Sequence, residues 1–239
     1  MATHRCRFLP EWAPQSGVML TWPHAGTDWA PLLDRVEPVY REIAGQILER
    51  EDLLIVAQDP AHREHIQRVL EQGGLALDRV HWALVPANDT WARDHGPITV
   101  VDDDGAPRLL SFRFNGWGEK YAHDLDDRIN TRLADQGVFA APMEAVDLVL
   151  EGGSLEVDSQ GTLLTTSQCL LMPRRNPGMT RESIEAALKT HLCLQRILWL
   201  EHGHLAGDDT DAHIDTLARF CSDDTIAYMA CDDAEDEHY

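Results

Sequence analysis

The stretch Val146-Asp-Leu-Val-Leu-Glu-Gly-Gly-Ser-Leu-Glu-Val-Asp-Ser-Gln-Gly-Thr-Leu-Leu-Thr-Thr166 decides how the rest of the chain is read. Val146 to Leu150 predicts a strand. Glu151-Gly-Gly-Ser154 is a short polar motif at its end. Leu155-Glu-Val157 and Thr162 to Thr166 then flank Asp158-Ser-Gln-Gly161, whose turn-forming residues predict a hairpin. A helix is predicted just upstream, at about Asp124 to Gln136. The order is helix, strand, polar motif, hairpin.

The same order recurs on both sides. Upstream, a helix at about Ala61 to Gln72, closed by Gly73-Gly74, leads into a strand at Val80 to Val85. The polar run Asn88-Asp-Thr-Trp-Ala-Arg-Asp-His-Gly-Pro97 follows, then a hairpin of Ile98 to Val101 and Arg108 to Phe114 around Asp102-Asp-Asp-Gly105. Downstream, a helix at about Arg181 to Leu192 precedes a strand at Arg196 to Leu200. The motif Asp208-Asp-Thr-Asp-Ala-His-Ile-Asp215 comes next, and a hairpin of Leu217 to Cys221 and Thr225 to Met229 around Ser222-Asp-Asp224. A further helix, from about Trp29 to Arg50 with Asp28 as its N-cap and Pro38 inside it, precedes a buried strand at Asp52 to Ala57. Asp94 and Glu151 are 57 residues apart, and Glu151 and His213 are 62 apart. A period of roughly 60 residues gives about four modules, and a module mixing one helix with strands must pack on its neighbours. No Pro/Gly/Ser-rich linker divides the chain. The expectation is one α/β domain over residues 1–239, built of modules.

Composition narrows the class. Lys plus Arg is 20 and Asp plus Glu is 41, a formal charge of −21, with 44% apolar residues, as suits a globular core. Such a charge disfavours nucleic acid and anionic membrane surfaces as partners and favours a cationic ligand. No apolar run is long enough to span a membrane, and the N-terminus carries no secretory h-region. The five cysteines, Cys6, Cys169, Cys193, Cys221 and Cys231, are odd in number and widely spaced without Cys-x-x-Cys. That predicts neither a disulfide framework nor a zinc ribbon, and together with the missing apolar span and h-region it predicts a reducing, cytoplasmic setting.

Chemistry is expected where the strands end. The first polar run offers Trp91, Arg93, Asp94 and His95, or else a solvated loop in which Asp94 pairs with Arg93. In the second motif Glu151 stands beside two glycines, which permit a close ligand approach or form a plain turn. The third is the most specific. Asp209, Asp211, His213 and Asp215 alternate with Thr210, Ala212 and Ile214, so on a strand they share one face. Carboxylates around a histidine keep it cationic, which suits a proton donor, and they trap cations. Asp-x-His-x-Asp is also a donor set for zinc or manganese. The one further histidine cluster is Glu201-His-Gly-His204, and no metal is assigned.

Six stretches together resemble the agmatine deiminases, a branch of the guanidino-group-modifying (pentein) superfamily that includes the peptidylarginine and arginine deiminases. They are Met19-Leu-Thr-Trp-Pro23, Asn88 to Pro97, Phe114-Asn-Gly-Trp-Gly118, Glu151 to Ser154, Arg175-Asn-Pro177 and Thr210 to Asp215. The resemblance implies a pentein-type β/α propeller of five ββαβ modules with pseudo-fivefold symmetry, of which this chain would hold about four. It implies hydrolysis of agmatine to N-carbamoylputrescine and ammonia through a covalent cysteine intermediate, without metal or organic cofactor, in a protein that often dimerises. By the same resemblance Asp94 and Asp215 clamp the guanidinium, His213 is the general acid–base, and Glu151 orients it. Trp91 and Trp117 pack on the aliphatic stem, with ordinary core packing as the alternative, and Asp209 receives the distal amine. Two features depart from the family. Ala212 stands where glycine is common, and the Gly-rich motif carrying the nucleophilic cysteine is missing. Cys221 and Cys231 do not replace it, and Asp232 to Tyr239 resembles the start of a fifth-module helix. The expectation is therefore a domain incomplete at its C-terminus. A peptidyl-arginine hydrolase and a non-catalytic guanidinium- or polyamine-binding protein remain the alternatives.

Overall fold

The computed structural model describes residues 6–203 and 205–238. They form two compact units interleaved along the chain. One comprises the segment up to Ala13, Pro97–Tyr121 and everything from Ala141 onward; the other comprises Pro14–Gly96 and Ala122–Ala140.

The second of these is built on a three-stranded parallel sheet, with Asp52–Ala57 between Gly17–Thr21 and Val80–Leu84. Its central strand is a near-continuous apolar run because both of its faces are covered. Alternate residues take opposite faces. Leu53 and Ile55 pack with Trp22, Ile66 and Leu70. Val56 packs with Ala83, Val85, Ile129 and Leu133. The helix Pro60–Gln72 starts where its local chemistry dictates: Asp59 accepts the His62 N–H at 2.9 Å, and Pro60 needs no N–H partner in the first turn. The preceding helix runs Leu33–Leu48 after a 3-10 turn at Ala30–Leu32, so Asp28 is not its cap, and Pro38 lies inside it. The helix expected from Asp124 divides into a 3-10 turn, Asp126–Arg128, and the helix Ile129–Asp135.

The first unit contains a four-stranded sheet ordered Cys6–Phe8, Ile98–Asp102, Pro107–Arg113, Met143–Val149. The first two pairings are antiparallel and the last is parallel. A three-stranded sheet repeats the arrangement: Glu156–Val157 pairs antiparallel with Thr162–Thr166, which pairs parallel with Arg196–Leu200. A hairpin followed by a strand parallel to its second arm thus occurs twice. The helix Arg181–Leu192 opens with a Thr180–Ser183 capping box and buries Ile184, Leu188 and Leu192, spaced one helical turn apart. They join a core with Val100, Leu110 and Leu163. Glu156, fully buried, accepts from Arg219 Nε at 2.6 Å and Phe220 N at 2.8 Å, which fastens the hairpin Ala218–Ser222/Thr225–Tyr228.

Four expectations are corrected. Residues 209–213 are irregular and run into the short helix Ile214–Leu217, so the acids of 209–215 do not line one strand face. Left-handed backbone at Asp211 (φ 68°) and Ala212 (φ 61°) breaks the extended pattern. Residues 232–238 form turns and no helix. Two strands, Cys6–Phe8 and Gly17–Thr21, were not among the predicted elements. Finally, Cys6 and Cys193 form a disulfide, 187 residues apart in sequence. No local spacing signals such a bridge, and it departs from the reduced setting expected of these cysteines. No helix among the described residues is long and apolar enough to cross a membrane.

Candidate active site

In the first unit, two sequence-predicted residues meet. Glu151 lies at the end of the strand Met143–Val149, where the 3-10 turn Gly152–Ser154 turns the chain away. Its carboxylate is fully buried, with Oε2 at 3.8 Å from Nε2 of the buried His213. His213 immediately precedes Ile214–Leu217, and Thr166 Oγ1 donates to the neighbouring Ala212 carbonyl at 2.7 Å.

What holds Glu151 in place is Arg175. Its Nε donates to both carboxylate oxygens at 2.9 Å, and neither side chain has any exposure. The remaining donors reach Cys169 O at 3.2 Å, Asp211 Oδ2 at 3.0 Å and Thr210 O at 2.8 Å. Burial works to raise the Glu151 pKa, but the neighbouring His213 and the Arg175 charge outweigh it and hold the carboxyl below its ordinary value. Glu151 therefore stays ionised and stabilises positive charge on the imidazole.

Cys169 completes the cluster. One oxygen of Glu151, the Cys169 thiol and one His213 nitrogen lie within 4.8 Å of one another, the one grouping among the described residues with donor atoms suited to a metal. Arg175 opposes that use, since its Nε engages both Glu151 oxygens and its positive charge repels a cation. Burial also pushes the Cys169 thiol pKa up, against the lowering pull of His213 and Arg175. A buried thiol with a raised pKa is a poor nucleophile.

The loop leading to His213 is organised by Asp208. Its carboxylate accepts Thr210 N at 3.0 Å, Thr210 Oγ1 at 2.5 Å and Ala212 N at 2.8 Å. Burial opposes ionisation of Asp208, and these bonds overcome it, so its pKa is lowered. Tyr121 donates to Asp209 Oδ2 at 2.5 Å, while Lys120 Nζ donates to Asp209 O at 2.5 Å and to Asp211 Oδ1 at 2.7 Å. Asp215 lies in the helix Ile214–Leu217. Trp117 is buried, with φ 56°, and packs edge-on between Phe114 and Tyr121, at centroid distances of 5.0 and 5.6 Å.

The other unit carries the remaining candidates. Trp91 is 45% exposed, donates to Asp89 Oδ2 at 3.1 Å and lies 6.3 Å from the Trp29 ring, so core packing does not account for it. Asp94 is buried in the short helix Ala92–His95. His95 is buried and close to Thr21 Oγ1, at 3.4 Å; burial lowers its pKa to about 4, which leaves it neutral. Asp126 anchors this loop by accepting Asn88 N at 2.7 Å. Of Glu201-His-Gly-His204, His204 lies outside the described residues, and Glu201 pairs with Arg181 at 2.7 Å.

Arg175 and Cys169 are the contributors that sequence reasoning missed in role. Nothing local marks an arginine for burial, because its carboxylate partners, Glu151 and Asp211, come from positions 24 and 36 residues away. Asp208 carried a signal, since an acid two residues before Thr210 forms an Asx-type turn.

A buried carboxylate–imidazole pair locked by an arginine thus stands beside a loop rich in acids. Residues 7–239 match the family model of the Porphyromonas-type peptidyl-arginine deiminases, and the chain belongs to that family. Within it, the chain is 34% identical to the agmatine deiminase of Stutzerimonas stutzeri over 238 residues, which cover 97% of this chain and 62% of that protein. The agmatine deiminase of Pseudomonas syringae pv. tomato is likewise 34% identical, covering 96% of this chain and 61% of its own length. A C. jejuni agmatine deiminase variant solved with substrate bound superposes with a TM-score of 0.91 at 37% identity, over 100% of this chain and 69% of that one. The α/β fold is therefore that of these enzymes. The chain spans somewhat less than two thirds of the length of these two curated relatives.

Proposed function

We propose that the intact protein hydrolyses the guanidino group of agmatine, giving N-carbamoylputrescine and ammonia. The observation that carries this reading is the buried Glu151–His213 pair locked by Arg175. In the proposed reaction a cysteine thiolate bonds to the guanidinium carbon, and His213 protonates the departing ammonia. His213 then takes a proton from water, which attacks the thiouronium carbon and releases the thiolate. Asp94 and Asp215 are the carboxylates proposed to receive the guanidinium, a planar donor fork suited to bidentate pairing. Asp209, with Trp91 and Trp117, is proposed to receive the amine and its stem. The hairpin-plus-parallel-strand pairing, which occurs twice, supports pentein-type ββαβ modules, and the count of about four is proposed from the roughly 60-residue period of the sequence. Cytoplasmic placement is proposed from the wide cysteine spacing together with the lack of a secretory h-region or a long apolar run in the sequence, and the Cys6–Cys193 bridge is the one feature that departs from that pattern.

The nucleophile is proposed to lie outside these residues: Cys6 and Cys193 are bridged, Cys169 is buried, and neither Cys221 nor Cys231 has a matching context. This favours, as the second reading, a chain that by itself binds guanidinium without turning it over. The family model's description keeps a peptidyl-arginine substrate as a further alternative. The test is turnover by the intact protein: ammonia and ureido product from agmatine in equal amounts, abolished in His213→Ala. Preference for C-terminal arginine peptides would reverse the substrate order.

A further inference from the structure

We propose that Arg175 is the positioning residue of this site, one side chain that sets both the Glu151–His213 pair and the Thr210–Asp211 loop. The inference rests on the functional reading above and assigns a role to a residue that touches no substrate in it.

Four observations carry it. Arg175 is fully buried, yet every hydrogen-bonding nitrogen of its guanidinium is used, on three separate segments: Glu151, the Cys169 carbonyl, and Thr210 with Asp211. The guanidinium is planar, so fixing Nε on Glu151 fixes where Nη1 and Nη2 point, and hence where the Thr210 carbonyl and Asp211 carboxylate sit. The flanking residues extend the same junction. Arg174 O accepts from Asn115 Nδ2 at 3.0 Å, which ties in the turn bearing Trp117. Asn176 exchanges two hydrogen bonds with Val149, Oδ1 accepting at 3.0 Å and Nδ2 donating at 2.9 Å, which ties in the strand that delivers Glu151. The tripeptide 174–176 thus gathers three segments that carry proposed site residues. The loop it holds contains two non-glycine residues with positive φ, Asp211 and Ala212, a conformation that persists only where surroundings enforce it.

Electrostatics point the same way. The titratable groups facing Glu151 are Arg175, His213 and Cys169, while Asp211 faces both Arg175 and Lys120. Lysine in place of Arg175 keeps the charge near Glu151 but cannot span to Thr210 and Asp211, whereas methionine removes both functions.

The experiment compares the unaltered chain with Arg175→Lys, Arg175→Met and Asp211→Asn. Agmatine affinity is followed by calorimetry between pH 5 and 8, and amide exchange by NMR. Arg175→Lys should weaken agmatine binding about tenfold or more, with the acid-side midpoint of binding unmoved. Arg175→Met should also shift that midpoint to higher pH. Asp211→Asn, which alters the most accessible partner and spares Glu151, should weaken binding several-fold. In Arg175→Lys the Ala212 and His213 amides should exchange faster while those of Leu163 and Leu164 do not. A role in stability alone would lower the melting temperature and leave affinity, midpoint and loop exchange unchanged, and that result would overturn the proposal. Should Arg175→Met fail to fold, Arg175→Lys and Asp211→Asn decide. If the unaltered chain binds no agmatine, the functional reading fails, while the exchange data still decide the role of Arg175.

Discussion

Replacing Glu151 by glutamine removes one charge of a pair with no solvent exposure on either side. Arg175 then remains buried and cationic, with the Cys169 and Thr210 carbonyls and Asp211 as its surviving partners. Breaking a buried pair from one side typically costs about 3–5 kcal/mol. Asp211 is only 16% exposed and still compensates part of the charge, which places the expected loss near the low end, about 3 kcal/mol. For a chain of this size that corresponds to a fall in melting temperature of about 6–12 °C. The assay is urea unfolding followed by far-UV circular dichroism, with m-values compared to confirm that only stability has changed. Glu151→Leu, Arg175→Met and the double variant Glu151→Leu/Arg175→Met form a thermodynamic cycle. Because the double variant leaves no buried charge stranded at this junction, its cost should fall below the sum of Glu151→Leu and Arg175→Met by about 2 kcal/mol or more. A loss below about 1 kcal/mol for Glu151→Gln, together with additivity in the cycle, would refute the claim that this pair is closed to water and organises the site.

Further outcomes follow from the same geometry. The Glu151 pKa is lowered in the folded state, so its contribution to stability is present above the ordinary carboxyl pKa and is lost as pH falls through the folded value; Glu151→Gln should flatten the acid limb of a stability–pH curve. Asp126 behaves oppositely. Burial raises its pKa to about 7, against the pull of the Asn88 and Asp89 amides, so folding is penalised progressively from about pH 4 to about pH 7; Asp126→Asn should remove that decline when unfolding is measured across the range. Ala212 holds φ 61°, and Ala212→Gly should raise stability by up to about 1 kcal/mol; a loss of similar size in a melting experiment would contradict the strain assigned there. Thiol titration of the unfolded, unreduced chain should find three free thiols, Cys169, Cys221 and Cys231, whereas five would exclude the Cys6–Cys193 bridge.

Regular elements were legible wherever period and punctuation agreed. Asp52–Ala57, Arg181–Leu192 and Arg196–Leu200 have the ends the sequence predicts, because a buried strand and a capped amphipathic helix announce themselves locally. Gly17–Thr21 went unpredicted as a strand, since its role depends on pairing with Asp52–Ala57. The loop 208–213 misled for a physical reason: alternating acids mimic a strand, but the Asp208 carboxylate captures the Thr210 and Ala212 amides and folds the chain back. Glu151 and His213 were both singled out, and they do meet. Arg175 stood in one of the six family-like stretches, but its role was not legible, because that role lies in burial and long-range partners that no spacing encodes.

The central claim is that this site recognises a guanidinium group. The most direct measurement is a calorimetric comparison of agmatine with putrescine, which carries a second amine in place of the guanidino group. Agmatine should bind clearly more tightly than putrescine, with the difference lost in Asp215→Asn. Equal affinities for the two would contradict it and leave a polyamine-binding surface in its place.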